Sequence, residues 1–543
     1  MYSLIPFPQS VQIEDGTLNI TDLKDLTVNA PDLVRVADQF RDELSLWSGM
    51  SLPAARVVSE RAAGSVHAEL VGTAGNEGAL SPDSGTARGA HTLIVDQQGI
   101  LVRATSPEGI YRGLTSVIQI LATSQNTVNF AHIEDEARYG WRGLSLDVAR
   151  NFSPLPEVKR VIDVLALYKF DVLHLHLSDN EGWRLQIPSW PHLTPEPTDG
   201  DREYFTVSEF EELIEYASAR FVTVIPEIDM PGHVGAAIRA YPELNRAAVG
   251  SLDSLFPSAN LAADSAPAWQ FVDDVLALVA QVTAGPYLHI GGDEAFGMDD
   301  DAHEAFVNHA ITTAEKLGKR IVGWQETSRA NVNPDHITQH WIDFSHTVQQ
   351  NENSSSTEAV SMDDQSAATG IPAATLEMLR ENFLKAVDDV DRTITKGARV
   401  LMSPTSNAYL DRPHADSSND PIQEAGRDQL GLAFYPPTEL AAYFDWDPET
   451  INGAIPANRI VGVEAALWTE SANTPEKRGA LLLPRLPAIA EVGWSQKSGR
   501  DWDDYRQRLA THAQLWDRAG LAWYQAASID WVKSAHQLPV GSA

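Results

Sequence analysis

Residues 288–298 read LHIGGDEAFGM. An apolar, extended run through Tyr287, Leu288, His289 and Ile290 breaks at Gly291–Gly292 and sets down Asp293 and Glu294 side by side. Neighbours on a regular strand point to opposite faces, so this pair shares a site only where the chain bends sharply, as two glycines allow. Two carboxylates in one site suit cleavage of a glycosidic bond. One stays protonated and gives its proton to the leaving oxygen, and the other supports positive charge on the sugar. The acidic runs at 134–136 and 299–301 lack this setting and read as solvated surface or helix starts. Trp183, Trp324, Trp341 and Trp468 add apolar faces that can lie on a sugar ring or wall a small apolar group.

These residues need a frame that brings them together. Eight apolar, β-rich runs follow one another at 143–149, 171–177, 222–228, 286–292, 319–324, 336–342, 398–404 and 460–468. Runs of helical spacing lie between most of them, clearly at 156–168 and 267–282 and less clearly from 441. Buried strands alternating with helices predict a (β/α)8 TIM barrel over 136–543, whose active face is built by the loops after the strands. Those loops carry Asp147 and Arg150, Asp179 and Trp183, Asp229 and His233, Asp293 and Glu294. Further on they carry Trp324 and Glu326, Trp341 and Asp343, Tyr409 and Asp411, and Trp468 and Glu470. A polar insertion near 347–375, lowest in aromatics over 347–370, reads as a mobile lid or as the contact of a homodimer. Residues 501–520 read as a closing helix.

Residues 1–135 read as a smaller, non-catalytic α+β domain. Short strands are expected at 17–20 and 26–30, helices at 34–47 and 109–121, and a hairpin on either side of Gly99. The whole chain has 543 residues, 43% of them hydrophobic, which is enough for a full core. Its net charge of −35 argues against nucleic acid and anionic membrane as partners. With no cysteine there are no disulfides, thiolate metal sites or cysteine nucleophiles. MYSLIPFPQS does not read as a signal peptide, and no apolar run is long enough to span a membrane, so a cytoplasmic location is expected.

In WRGLSLDVARNF (141–152), VLHLHLSDNEGWRLQI (172–187), IPEIDMPGH (225–233), HIGGDE (289–294), VGWQE (322–326), YLD (409–411) and ALWTE (466–470), the chain resembles the β-N-acetylhexosaminidases of glycoside hydrolase family 20. PRLPAIAEVGWS (484–495) continues the match, and SPEGIYRGLTSVIQIL (106–121) resembles the family's N-terminal domain. The resemblance implies an exo-acting, retaining enzyme that releases terminal N-acetylglucosamine or N-acetylgalactosamine from an oligosaccharide or glycoconjugate, with no cofactor and no metal. It implies that the substrate's own acetamido carbonyl is the nucleophile and closes to an oxazolinium ion. Glu294 would be the general acid and then the base, Asp293 would hold the acetamido N–H, and Tyr409 would donate to the acetamido oxygen. Trp324, Trp341 and Trp468 would wall the acetamido group. Arg142, Asp411 and Glu470 would bind sugar hydroxyls, and Asp179 with His233 would orient the acids. Asn180 and Glu181 stand where the family pattern has a second acid and a glutamine.

Three other readings stay open on the residues. A lacto-N-biosidase of the same family would need room beyond the first sugar. A metal-dependent barrel hydrolase could draw ligands from His174, His176, His233, His289 and Asp293. A non-catalytic sugar-binding protein could use the aromatics, though it has no need of Glu294.

Overall fold

In a computed structural model, the protein is described over residues 2–72, 89–245, 260–343 and 384–532. The insertion at 347–370 lies outside these residues.

The N-terminal part is a seven-stranded sheet with spatial order β1-β7-β5-β6-β4-β2-β3. Its strands are β1 (Ser10–Asn19), β2 (Asp25–Val28), β3 (Arg56–Val57), β4 (Ser65–Leu70), β5 (His91–Asp96), β6 (Gly99–Ala104) and β7 (Thr127–Asp135). β5 and β6 form the expected hairpin. Gly99 opens β6 at φ +125°, where an added Cβ would stand 2.3 Å from the Ser65 carbonyl oxygen. β1 begins earlier than expected. It is a largely exposed strand with a register shift between Glu14 and Thr17, so its side chains carry no apolar alternation.

Helix α1 (Val34–Ser48) packs against helix α2 (Pro107–Thr123). Ser106 caps α2 by accepting from the Gly109 N–H at 3.0 Å, and Pro107 suits the first turn. Nearly all of α2 is buried, because it lies between the sheet and the barrel. Its Gln119 amide donates to the Ile5 and Leu167 carbonyls, and its Arg112 donates to the Phe221 carbonyl, which ties the two parts together. The closing helix runs Trp502–Arg518 and packs on both α1 and α2.

The second part is a closed parallel barrel of eight strands. They are β8 (Trp141–Asp147), β9 (Val172–His176), β10 (Thr223–Glu227), β11 (Tyr287–His289), β12 (Arg320–Trp324), β13 (Ile337–His340), β14 (Arg399–Met402) and β15 (Ile460–Leu467). Each falls within or against one of the eight expected runs. Helices Leu155–Leu167 and Ala266–Val282 stand where helical spacing predicts them, whereas only Leu440–Phe444 of the weaker run from 441 is helical. At the N-terminal ends of the strands, Trp141, Val172, Ile225, Tyr287, Val322 and Ile337 help to form an apolar floor. Above that floor the interior turns polar, with His174, Glu227, His289, Gln339 and Glu464 all buried.

Candidate active site

The barrel opens at the C-terminal ends of its strands, and the GGDE segment leaves β11 there. Gly291 has φ 65° and Gly292 φ 99°. A Cβ on Gly291 would stand 1.7 Å from the Asp229 carboxylate, so the sharp turn is open only to glycine. Glu294 itself sits at φ 45°, an uncommon backbone for a non-glycine residue. Three left-handed residues in four are what let adjacent carboxylates reach one site.

Asp293 is buried, and its Oδ1 has no hydrogen-bond partner among the described residues. Burial and the neighbouring Asp229 carboxylate hold its carboxyl well above the usual carboxylate range, against the pull of His233. His233 faces both acids. Its Nε2 is 3.4 Å from Glu294 Oε2 and 3.7 Å from Asp293 Oδ2, and its Nδ1 is 3.1 Å from Asp179 Oδ1. Burial disfavours a charged ring, but the Asp179 and Asp229 carboxylates outweigh it and hold His233 well above its ordinary value.

Beside the acids stands a wall of aromatic rings. Trp341 and Tyr409 lie parallel, with centroids 6.5 Å apart and planes 9° apart. Trp468 meets Tyr409 edge-on at 5.9 Å and Trp324 at 5.8 Å, and Trp324 meets Trp341 at 6.4 Å. Buried carboxylates fix two of these indoles. Trp324 Nε1 donates to Glu227 at 2.9 Å, and Trp341 Nε1 donates to Glu326 at 3.1 Å. Trp183, the fourth expected indole, is packed away from them. It lies edge-on to Phe271 and donates to the Leu185 carbonyl.

Farther round the rim, both oxygens of buried Asp411 lack a hydrogen-bond partner among the described residues. Burial and the Glu470 carboxylate hold Asp411 well above the carboxylate range. Unpaired acceptors that are buried at this cost await donors, as sugar hydroxyls and amides would supply. Tyr435, which nothing in the sequence periodicity marks, meets the Tyr409 ring at 6.1 Å. Burial and the fields of Asp411, Glu294 and Glu470 push its phenol up, so it is a donor facing the same space.

Arg142 requires a correction, because it lies at the other end of the barrel. It is the second residue of β8, near the floor, and its guanidinium is spent there. Nε donates to the Lys169 carbonyl at 2.9 Å, an η-nitrogen donates to the Tyr139 carbonyl, and the other pairs with Asp171 at 2.7 Å. The arginine at the open end is Arg150. It pairs with Asp179 at 2.7 Å, lies 3.7 Å from Asp147, and holds its guanidinium carbon 5.2 Å over the Trp468 ring. Its place three residues beyond the end of β8 was the available signal. The departure at 180–181 has a local account. Asn180 Oδ1 accepts from the Gly235 N–H at 3.0 Å, and exposed Glu181 lies 3.4 Å from Arg150.

Among the described residues, three groups have donor atoms close enough for a metal: His174 with Glu227 and His289, His176 with Glu227 and Asp229, and Asp229 with His233 and Asp293. In the first two, ring nitrogens stand 2.5–3.0 Å from carboxylate oxygens. Ligand atoms around a tetrahedral zinc with bonds near 2.1 Å would stand about 3.4 Å apart. The observed spacings are shorter than that, and His176 Nδ1 and Glu227 share a hydrogen bond at 2.5 Å. The third group is the pair of acids' own surroundings, in which Asp179 already holds His233.

Comparison with known proteins agrees with this geometry. The model of the glycosyl hydrolase family 20 catalytic domain matches residues 139–367 and 376–497, and that of the family's domain 2 matches residues 1–136. A beta-N-acetylhexosaminidase of Cellulomonas fimi is 33% identical, covering 97% of each chain. The solved structure of a GH20 beta-N-acetylhexosaminidase from Streptomyces coelicolor A3(2) superposes with a TM-score of 0.78 at 31% identity, covering 98% of this chain and 99% of that one. A variant of Streptomyces plicatus beta-hexosaminidase in complex with product (GlcNAc) has a TM-score of 0.77 at 30% identity, covering 98% of both chains.

Proposed function

Because the chain belongs to glycosyl hydrolase family 20 and is a glycoside hydrolase, we propose that it removes terminal β-linked N-acetylhexosamine with the sugar's own acetamido group as nucleophile. The observation that carries this reading is the unpartnered, buried Asp293 Oδ1 beside Glu294 and the wall of indoles. An amide N–H satisfies that oxygen, and the acetamido methyl fits against the rings. Glu294 gives its proton to the glycosidic oxygen as the bond to the anomeric carbon breaks. The acetamido carbonyl oxygen forms the new bond to that carbon, giving an oxazolinium ion. Asp293 is its counter-ion, because the N–H and the growing positive charge favour the ionised carboxyl and offset the burial that works against it. Tyr409 donates to the acetamido oxygen and holds it in line. Water then attacks the anomeric carbon as its bond to the acetamido oxygen breaks, and Glu294 takes the water's proton, so the anomeric configuration is retained.

Asp411, Glu470 and Arg150 supply acceptors and donors for the far hydroxyls of the same sugar. Closing that side supports exo cleavage of one residue over release of a disaccharide. The Streptomyces plicatus complex with GlcNAc supports N-acetylglucosamine as one accepted sugar.

Hydrolysis of p-nitrophenyl N-acetyl-β-glucosaminide should exceed that of its 2-hydroxy counterpart by at least ~10³-fold, roughly what losing an intramolecular nucleophile costs. Comparable rates on the two would overturn the proposal. Glu294→Gln should lose ~10²–10⁴-fold on an N-acetylglucosamine-terminated oligosaccharide, the usual worth of general acid–base catalysis.

A further inference from the structure

Behind His233 the barrel interior holds acids and imidazoles in alternation. Asp179 takes His233 on Oδ1 and His176 Nε2 on Oδ2, the latter at 2.8 Å. His176 Nδ1 stands 2.5 Å from Glu227 Oε2. His174 Nε2 lies 3.0 Å from that same oxygen, and its Nδ1 is 2.9 Å from Glu464 Oε1. The series from the floor to the site is therefore Glu464, His174, Glu227, His176, Asp179, His233, Glu294. Its inner members come from β15, β9 and β10 and are all buried. His174 and His176 are two apart on β9, so they face one way and bracket Glu227.

We propose that His176 and Glu227 are positioning residues of the proton cycle. Together they form a fixed cation–anion pair that orients Asp179 and His233 and so sets the pH range over which Glu294 can give up and retake its proton. This rests on the reading of Glu294 as general acid and base. No proton travels along the series; it works through charge and hydrogen-bond direction. Glu294 must lose a proton in one step and regain it in the next. An imidazole that is free to turn or titrate beside it would leave that exchange unset. The charges of the inner pair are held in place by their neighbours. Burial works against a cation at His176, but Glu227 and Asp179 overcome it and hold the ring well above its usual range. His174 is likewise raised against burial by Glu227 and Glu464, to about 9. Burial also opposes the Glu227 anion, yet His289, His176 and His174 hold its carboxyl well below the usual range. Glu227 additionally takes Trp324 Nε1, so one carboxylate links the wall of the sugar pocket to the acid–base pair.

The groups facing this pair come from every neighbouring strand. Asp147 of β8 is in register with His176, and Arg150 beyond it pairs with Asp179. Asp229 follows β10, and its carboxyl responds to the charge on His176. His289 of β11 lies 2.8 Å from Glu227, and the Trp468 ring after β15 meets His176 edge-on at 5.2 Å. All of them are kept in the variants below, so the sign of each shift follows from the charge removed.

The test is the pH profile of kcat/KM for the full-length enzyme. His176→Gln removes a buried positive charge, which raises the proton affinity of its neighbours, so the alkaline limb should move up by at least ~0.5 pH unit. Glu227→Gln removes a negative charge and should move it down by a similar amount. Opposite displacements are the expected result, because a packing defect lowers rates without moving two limbs in opposite directions. Limbs within ~0.2 pH unit of the parent in both variants, or displaced the same way, overturn the proposal. Glu294→Gln is run alongside. If it keeps the parent's turnover on an unactivated oligosaccharide, the reading of Glu294 has failed instead. Should either replacement not fold, imidazole nitrogens in the 15N-histidine-labelled parent protein decide the matter. At pH 8 the rings of His174 and His176 should still be doubly protonated, and a spectrum with no imidazolium signal overturns the proposal.

Discussion

Arg142 and Arg150 stand eight residues apart, one near the start of β8 and one just beyond its end, and they live in opposite environments. At the floor of the barrel, Arg142 has two carbonyls, an Asp171 carboxylate and the face of Trp494 at 5.0 Å. Around it Lys169 pairs with Asp135 at 2.6 Å, and Trp494 donates to the same carboxylate. At the open end, Arg150 holds Asp179 while Asp293 and Asp411 keep acceptor oxygens with no hydrogen-bond partner among the described residues. Arg142 and Lys169 are paired within the fold, whereas Asp293 and Asp411 leave oxygens for a ligand to satisfy. In a TIM barrel this is the expected division between the face that stabilises and the face that reacts.

The comparison breaks most readily at the floor. Arg142→Met should destabilise the protein by ~3–5 kcal/mol, because Asp171 stays buried with its charge uncompensated. Chemical denaturation reads this directly. The kcat/KM of the protein that remains folded should stay within about twofold of the parent, since the strand advances ~3.3 Å per residue and carries Arg142 about 16 Å below its own end. A large kinetic loss with unchanged stability would return Arg142 to the site.

At the open end the effect should invert. Arg150→Lys keeps a positive charge for Asp179 but loses the planar fork of donors. We expect kcat/KM to fall ~10²-fold, roughly 2.7 kcal/mol of transition-state binding, while the denaturation midpoint moves little. Equal kinetics in the lysine variant would mean that the sugar does not read the guanidinium.

These two arginines also mark where the sequence was legible and where it was not. The eight barrel strands could be read because a strand buried on both faces is a continuous apolar run bounded by polar loops. The GGDE turn could be read because glycine pairs beside acids have few other uses. Arg142 was misplaced because a strand's sequence carries no mark of which end its residues occupy; that depends on where pairing begins, and β8 begins at Trp141. Trp183 was drawn into the site for a related reason: a tryptophan just after a strand can turn toward the mouth or pack behind it, and here Phe271 holds it behind. Tyr435 is not marked because it lies in a loop without periodicity, and although Glu326 falls on the active face, nothing in the sequence shows that it and Glu227 hold indoles 15 and 97 residues away.

The smallest expected effect sharpens the comparison through pH. Asp229 lies beneath the GGDE turn, where its Oδ1 accepts from the Gly292 N–H at 3.2 Å. Burial raises its carboxyl to about 7, with Glu227 adding to the rise and His233 opposing it. An unfolded Asp titrates near ~3.9. The folded state therefore binds this proton more tightly than the unfolded chain does, and the stability this contributes is fully present below about pH 4 and is lost as pH rises through 7. The parent should consequently lose stability against Asp229→Asn between about pH 4 and 7, by ~1 kcal/mol or more, and hold a constant difference above that. Denaturation midpoints of the two proteins across that range supply the measurement. Asp171 at the floor should drift the same way but less, because burial still raises its carboxyl while Arg142 offsets part of that rise. If the two aspartates gave the same pH dependence, the contrast between a floor whose charges are paired within the fold and a mouth that awaits its substrate would have no basis in their titration.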